Sequence, residues 1–163
     1  MSIAIFAGSF DPFTAGHLDI VQRAAPRFDK LYVSISRNPG KDRSRFTLEE
    51  RLELIRDAVS GIENIEVTHF EGLLVDYCHE IGANSLIRSI RNGTDLDYER
   101  QLETVNRQLD PELETVFLLS KPELAYISST LVRQLMDLGI SIAELVPNAN
   151  HTIILNKLNG GNQ

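Results

Sequence analysis

The segment Gly8-Ser9-Phe10-Asp11-Pro12-Phe13-Thr14-Ala15-Gly16-His17 lies between a short apolar run and an amphipathic stretch, so it reads as a loop opening into a helix. Gly8 lets the backbone approach a ligand there. His17 falls in the first helical turn, where free amides and the helix dipole attract anions. A cationic histidine is disfavoured at that end, and a structural histidine bonded to a backbone carbonyl is the plain alternative. Ile87-Arg88-Ser89-Ile90-Arg91 sets two guanidinium groups three residues apart, and arginine forks match phosphate oxygens bidentately. A pair of Arg88 with Glu99 or Asp95 would serve structure instead. Tyr126-Ile127-Ser128-Ser129-Thr130 places three hydroxyls before a helix, able to cap it or to bind triphosphate oxygens together with its amides. Arg37, Lys41, Arg43 and Arg45 cluster within nine residues against one acid, Asp42.

Other chemistries find less support. No G-x-G-x-x-G occurs, and Gly40-Lys41-Asp42 lacks both the earlier glycine and the following hydroxyl of a P-loop. His69, His79 and His151 have no ligand spacing, so no protein-held metal is expected. Cys78 sits on an apolar stripe and reads as packing. A single cysteine forms no intramolecular bridge, and the start Met-Ser-Ile-Ala lacks the basic flank and apolar stretch of a secretory signal. No apolar run is long enough to span a membrane, and the expected address is the cytoplasm. With 16 Lys and Arg against 23 Asp and Glu, the net charge of −7 opposes non-specific attraction to nucleic acid or an acidic membrane. Small polyanions remain open to the local basic clusters.

The elements that must position these residues alternate. Ile3–Ala7 and Leu31–Ile35 read as buried strands, with Leu18, Val21, Ala25 and Phe28 on one face of a helix between them. Thr47-Leu48-Glu49-Glu50 is a capping box for a helix striped by Leu48, Leu52, Ile55 and Val59. Ile65–Thr68, Ser85–Ile87 and Thr115–Leu119 complete five strands, and Leu74, Cys78 and Ile81 stripe a further helix. Helices are also expected over Asp95–Leu109, over Ser129–Leu138, and from Pro147 to near Leu158. Strands alternating with helices imply a doubly wound α/β sandwich, a five-stranded parallel sheet with helices on both faces. The 163 residues read as one domain with a mobile tail from about residue 159. In such sheets ligands bind beyond the carboxyl ends of the strands, where the loops above would meet.

Thr14-x-Gly16-His17, in its setting after Gly8-Ser9-Phe10-Asp11-Pro12, resembles the T/H-x-G-H signature of the nucleotidylyltransferase superfamily, and Ser129-Thr130-Leu131-Val132-Arg133 resembles its second signature. More narrowly, the chain is similar over nearly all its length to the bacterial phosphopantetheine adenylyltransferases. The matches include Lys41 with Phe46-Thr47-Leu48-Glu49-Glu50-Arg51, Gly72-Leu73-Leu74-Val75-Asp76-Tyr77, and Ile87-Arg88-x-x-Arg91 with Asp95, Tyr98 and Glu99. They continue through Leu109-x-Pro111-Glu112-Leu113-Glu114-Thr115 and Ile127-Ser128-Ser129.

The resemblance implies a Rossmann-like nucleotidylyltransferase fold and transfer of the adenylyl group from ATP to 4′-phosphopantetheine, giving dephospho-coenzyme A and pyrophosphate. It implies His17, Lys41 and Arg91 as catalytic. Ser9, Lys41, Leu73, Leu74 and Arg88 would hold the acceptor. The ATP site would comprise Gly8, Ser9, Phe10, His17, Ser89, Ile90, Arg91, Glu99 and the run Leu124, Ala125, Tyr126, Ile127, Ser128, Ser129, Thr130. Mg²⁺ would enter with ATP, coenzyme A would act as a feedback inhibitor, and the assembly would be a homohexamer. Ser89 stands where most relatives have glycine. An acceptor phosphate is already an anionic nucleophile, so this chemistry needs positioning and charge neutralisation more than a strong base. The alternatives are transfer to another acceptor, such as nicotinamide mononucleotide or glycerol phosphate, and a non-catalytic ATP-binding module.

Overall fold

The computed structural model describes residues 1–160. Its strands are β1 (Ile3–Gly8), β2 (Lys30–Arg37), β3 (Ile65–Glu71), β4 (Ser85–Ile90) and β5 (Glu114–Leu119). Its helices are α1 (Ala15–Ala24), α2 (Leu48–Val59), α3 (Leu74–Ile81), α4 (Gly93–Leu109), α5 (Ser129–Asp137) and α6 (His151–Gly160). The strands form one parallel sheet in the order β3-β2-β1-β4-β5. β1 takes the centre because both of its faces are apolar. Ala4 and Phe6 pack with Ile20, Val21 and Ala24 of α1 and Leu52, Ile55 and Val59 of α2. Ile3, Ile5 and Ala7 point the other way, onto Val75 and Cys78 of α3. A third cluster joins α5 and α6 to Phe46 and Leu54.

This is the doubly wound sheet that the alternation predicts, with local differences. The α1 helix stops at Ala24 because Pro26 follows; Ala25–Arg27 make a tighter 3₁₀ turn, and Phe28, expected on the helix face, lies beyond it in extended backbone. β3 runs on to Glu71, paired along its whole length with β2 as far as Arg37. The segment after Pro147 begins as a 3₁₀ turn, and α6 continues through Asn159 and Gly160, past the expected end at Leu158. The rest of the expected mobile tail, 161–163, lies outside the described residues.

Candidate active site

The loop after β1 ends at Thr14, the N-cap of α1. The Thr14 hydroxyl accepts the His17 N–H at 3.2 Å, and His17 Nδ1 accepts the Thr14 N–H at 3.0 Å. Histidine thus fills the role that glutamate or glutamine plays in a capping box. A backbone amide only donates, so Nδ1 carries no proton and the neutral ring keeps its proton on Nε2. The ring packs against Phe10 at 5.0 Å between centroids and Phe13 at 5.4 Å. Burial among these rings, followed by the positive charge of Arg91, pushes its pKa down to about 3. A neutral histidine removes the dipole objection to its place at a helix start.

Phe10 holds a left-handed backbone, φ 46°, at a cost of about 1–2 kcal/mol for a non-glycine residue. Its ring, edge-on to Phe6 at 5.3 Å and Phe13 at 5.4 Å, keeps it there. The same ring crowds Gly8, where an added Cβ would lie 3.1 Å from Phe10 Cε1.

At the carboxyl ends of the strands lies a cavity of about 270 Å³. Ser9, Gly16 and His17 form one wall, Ser89 and Arg91 another, and Leu124, Ile127 and Ser128–Thr130 a third. Of the residues expected around a nucleotide, Gly8, Phe10, Ile90, Ala125 and Tyr126 do not line it; Phe10 and Ile90 are buried and Tyr126 is exposed. Lys41 borders a second cavity of about 310 Å³, which shares Ser9 and Arg133 with the first. Arg88 and Leu74 border a third, of about 190 Å³, floored by Leu74, Leu86 and Leu102 and sharing Glu99 with the first. Leu73 turns away from Leu74 into a separate hollow beside Phe70 and Tyr77. A larger cavity, about 670 Å³ between α5 and α6, is lined by Arg45 and His151 but by none of the residues expected to hold either substrate.

The cations are partly engaged. Arg88 grips Glu99 bidentately at 2.7 and 2.7 Å and donates to the Ala7 carbonyl at 3.0 Å, so the structural pairing with Glu99 exists. Three of its five N–H groups are used. Arg91 pairs with Asp95 at 3.0 Å. Lys41 is exposed and makes no ion pair among the described residues. Each of the three hydroxyls at the start of α5, Ser128 at its N-cap and Ser129 and Thr130 in its first turn, has a structural partner. Ser128 caps Leu131 N–H at 3.0 Å, Ser129 donates to the Pro12 carbonyl at 2.8 Å, and Thr130 accepts from Arg133 at 3.3 Å. Ser128 and Thr130 accept in these bonds and keep their O–H protons to donate, and the Ser129 and Thr130 amides of the first turn of α5 have no partner within the helix, so hydroxyl and amide donors both border the cavity.

Three residues escaped the sequence reading as site residues. Asp11, buried, accepts the N–H groups of Arg45 at 2.8 Å and Phe46 at 2.9 Å. Arg133 donates to the Asp11 carbonyl at 2.6 Å and walls both the first and second cavities. Arg51 lies buried under the Lys41 loop. Its signal was present: it stands three residues after Leu48 and four before Ile55, a cation on an apolar stripe. Among the described residues no group of three or more His, Cys, Asp or Glu is arranged to hold a metal, and the carboxylates beside the first cavity, Asp95 and Glu99, are taken by arginines.

The sequence profile of the cytidylyltransferase-like family matches residues 5–135. A phosphopantetheine adenylyltransferase of Caldanaerobacter subterraneus subsp. tengcongensis is 43% identical over 148 residues, covering 91% of this chain and 92% of that protein. Among solved structures, a candidate nicotinate-nucleotide adenylyltransferase from Vibrio parahaemolyticus superposes with a TM-score of 0.69 at 17% identity, covering 97% of this chain and 95% of that one. A bifunctional NMN adenylyltransferase/ADP ribose pyrophosphatase from Francisella tularensis superposes with a TM-score of 0.66 at 19% identity, covering 89% of this chain and 44% of that one. At such identities the two structures speak for the fold.

Proposed function

This chain belongs to the cytidylyltransferase-like family and, within it, to the phosphopantetheine adenylyltransferases, and on that premise we propose how its residues move an adenylyl group from ATP to 4′-phosphopantetheine. The observation that carries the reading is a shared wall: Ser9 and Arg133 border both the cavity of His17 and Arg91 and the cavity of Lys41. Two anionic reactants on either side of that wall would approach each other at Ser9. ATP phosphates lie against the α5 amides, Arg91 and Arg133. His17, neutral and protonated on Nε2, donates to an α-phosphate oxygen and strengthens that bond as charge builds on the five-coordinate phosphorus. Lys41 bridges the attacking and attacked phosphates, lowering their mutual repulsion.

The acceptor phosphate at the Ser9 wall also takes the remaining N–H groups of Arg88, which reaches the end of β1 through its bond to the Ala7 carbonyl, and its pantetheine arm runs from there over Leu74, Leu86 and Leu102. A flexible, largely apolar arm fits that floor better than a charged pyridinium ring does. Glu99 fixes the Arg88 fork rather than touching nucleotide. Mg²⁺ bound to the ATP phosphates would neutralise part of the polyphosphate charge; with Asp95 and Glu99 engaged by arginines, phosphate oxygens and water would supply its ligands. Coenzyme A, which carries the same arm, is proposed to compete at the same slot. The cytoplasm is the proposed address, supported by a lone, buried Cys78, and no described helix is long and apolar enough to cross a membrane.

Incubation with ATP, Mg²⁺ and 4′-phosphopantetheine, with mass detection of dephospho-coenzyme A, tests the reaction. Arms with nicotinamide mononucleotide and glycerol phosphate should release no pyrophosphate, and turnover with either in place of phosphopantetheine would reject the acceptor assignment. His17→Ala should lower kcat by about 10²–10³-fold, the usual loss for one transition-state donor, with the fold intact by circular dichroism. Near-normal turnover would remove His17 from the mechanism.

A further inference from the structure

Lys41 stands on an exposed loop between β2 and α2. Its own backbone offers one turn bond, Lys41 N–H to the Asn38 carbonyl at 3.0 Å, too little to fix a long side chain beside a reacting phosphorus. The loop is held from below. Arg51, in the first turns of α2, is 1% exposed despite its charge. Its Nη1 donates to the Ser9 carbonyl at 3.0 Å, and its Nη2 to Asp42 Oδ2 at 2.9 Å. Its Nε is buried without a partner. Asp42, next to Lys41, also accepts the Ser44 N–H at 3.1 Å and the Ser44 hydroxyl. Hydrogen bonds from Ser44, with the Arg51 guanidinium behind them, hold its carboxyl below the usual carboxylate range.

Burying a guanidinium this deeply is costly, and a partner at each end is what offsets it. Here the two partners belong to the two loops whose residues, Ser9 and Lys41, must meet across the reacting phosphates. We propose that Arg51 is a positioning residue: a rigid strut on α2 that sets the distance between the Ser9 backbone and the Lys41 loop. This rests on the adenylyl-transfer reading of Lys41. Only a planar fork reaches both acceptors at once, so lysine keeps the charge and loses one arm of the strut.

The test compares Arg51→Lys, Asp42→Asn and Lys41→Ala, singly and with Lys41→Ala combined with each of the other two, in dephospho-coenzyme A formation. Asp42 lies on an exposed loop, so Asp42→Asn reports even where Arg51→Lys fails to fold. Arg51→Lys and Asp42→Asn should each lower kcat by about 10–100-fold, the scale of a displacement near 1 Å. Neither residue lines the His17 cavity, so KM for ATP should hold within about twofold. In the Lys41→Ala background the same changes should cost no more than about twofold further, since the strut acts through the missing lysine. Hydrogen exchange should quicken at Lys41 and Ser44 in Asp42→Asn. Unchanged kcat in Asp42→Asn, or a full additional loss on top of Lys41→Ala, overturns the strut and leaves the reaction standing. Wild-type turnover in Lys41→Ala ends the role of Lys41 and the strut with it.

Discussion

His17 settles its own charge state through one hydrogen bond. Because Nδ1 takes the Thr14 N–H at 3.0 Å, protonating the ring would break the α1 cap as well as bury a cation among Phe6, Phe10 and Phe13. Nitrogen NMR should therefore find His17 neutral, as the Nε2–H tautomer alone, from pH 8 to pH 5. A midpoint near the ordinary 6.5 would contradict the shift to about 3. The stability consequence has a definite sign. Between those two values the unfolded chain binds a proton that the folded chain refuses, so stability falls as pH drops from 6.5 toward 3. His17→Asn should flatten that slope in urea titrations across the window; partial exposure of His17 to the cavity moderates the size, not the direction. That His17 and Arg91 border one cavity was legible in the sequence, because both follow the carboxyl ends of strands. The tasks of Asp11 and Arg51 were not, although Arg51 shows as a cation on an apolar stripe, because both hold other loops, and the partners of a buried charge are visible only once the chain is folded.

At the scale of elements, two helices start with the same device and differ in what depends on it. Thr47 and Glu50 close a box at α2, the hydroxyl accepting Glu50 N–H at 3.2 Å and the carboxylate accepting Thr47 N–H at 2.8 Å. Thr14 and His17 close one at α1. Thr47→Ala should cost about 1 kcal/mol of stability, the typical worth of an N-cap, with kcat within about twofold of the parent. Thr14→Ala should cost a similar amount and also lower kcat by about tenfold, since the same turn aims the histidine. Equal kcat for the two variants in parallel assays would separate the α1 cap from the chemistry. The Thr47 box was readable because its spacing is local, and so was each strand and helix as a type. Boundaries set by distant partners were not: β3 extends to Glu71 because Arg37 lies opposite it in β2, a pairing absent from the local alternation of Ile65–Thr68.

For the whole molecule, the β4–β5 side of the sheet is finished less completely than the β1 core. The α4 helix runs for 17 residues without a buried one, although Tyr98, Leu102, Val105 and Leu109 fall at helical spacing and are 59%, 37%, 50% and 51% exposed in the order Tyr98, Leu102, Leu109, Val105. Leu119 at the end of β5 is 69% exposed. A helix gains its stability mainly by burying an apolar face, and a row of this length on a chain of net charge −7 calls for a cover that is itself apolar. A second copy offers one, in keeping with the homohexamer that the resemblance implies and with subunits repeated about closed symmetry axes. Multi-angle light scattering should then give about six times the 18.3 kDa chain mass at micromolar concentration. Val105→Lys with Leu109→Lys should shift the mass toward the single chain and make the melting temperature fall on dilution, as subunit linkage requires. A parent chain scattering at 18.3 kDa would leave the α4 row without a partner of its own kind. Arg88 would be touched indirectly, because Glu99 holds it from this same helix at 2.7 Å. Dissociation should therefore raise KM for the acceptor before it alters KM for ATP, which links assembly to the acceptor slot through one ion pair.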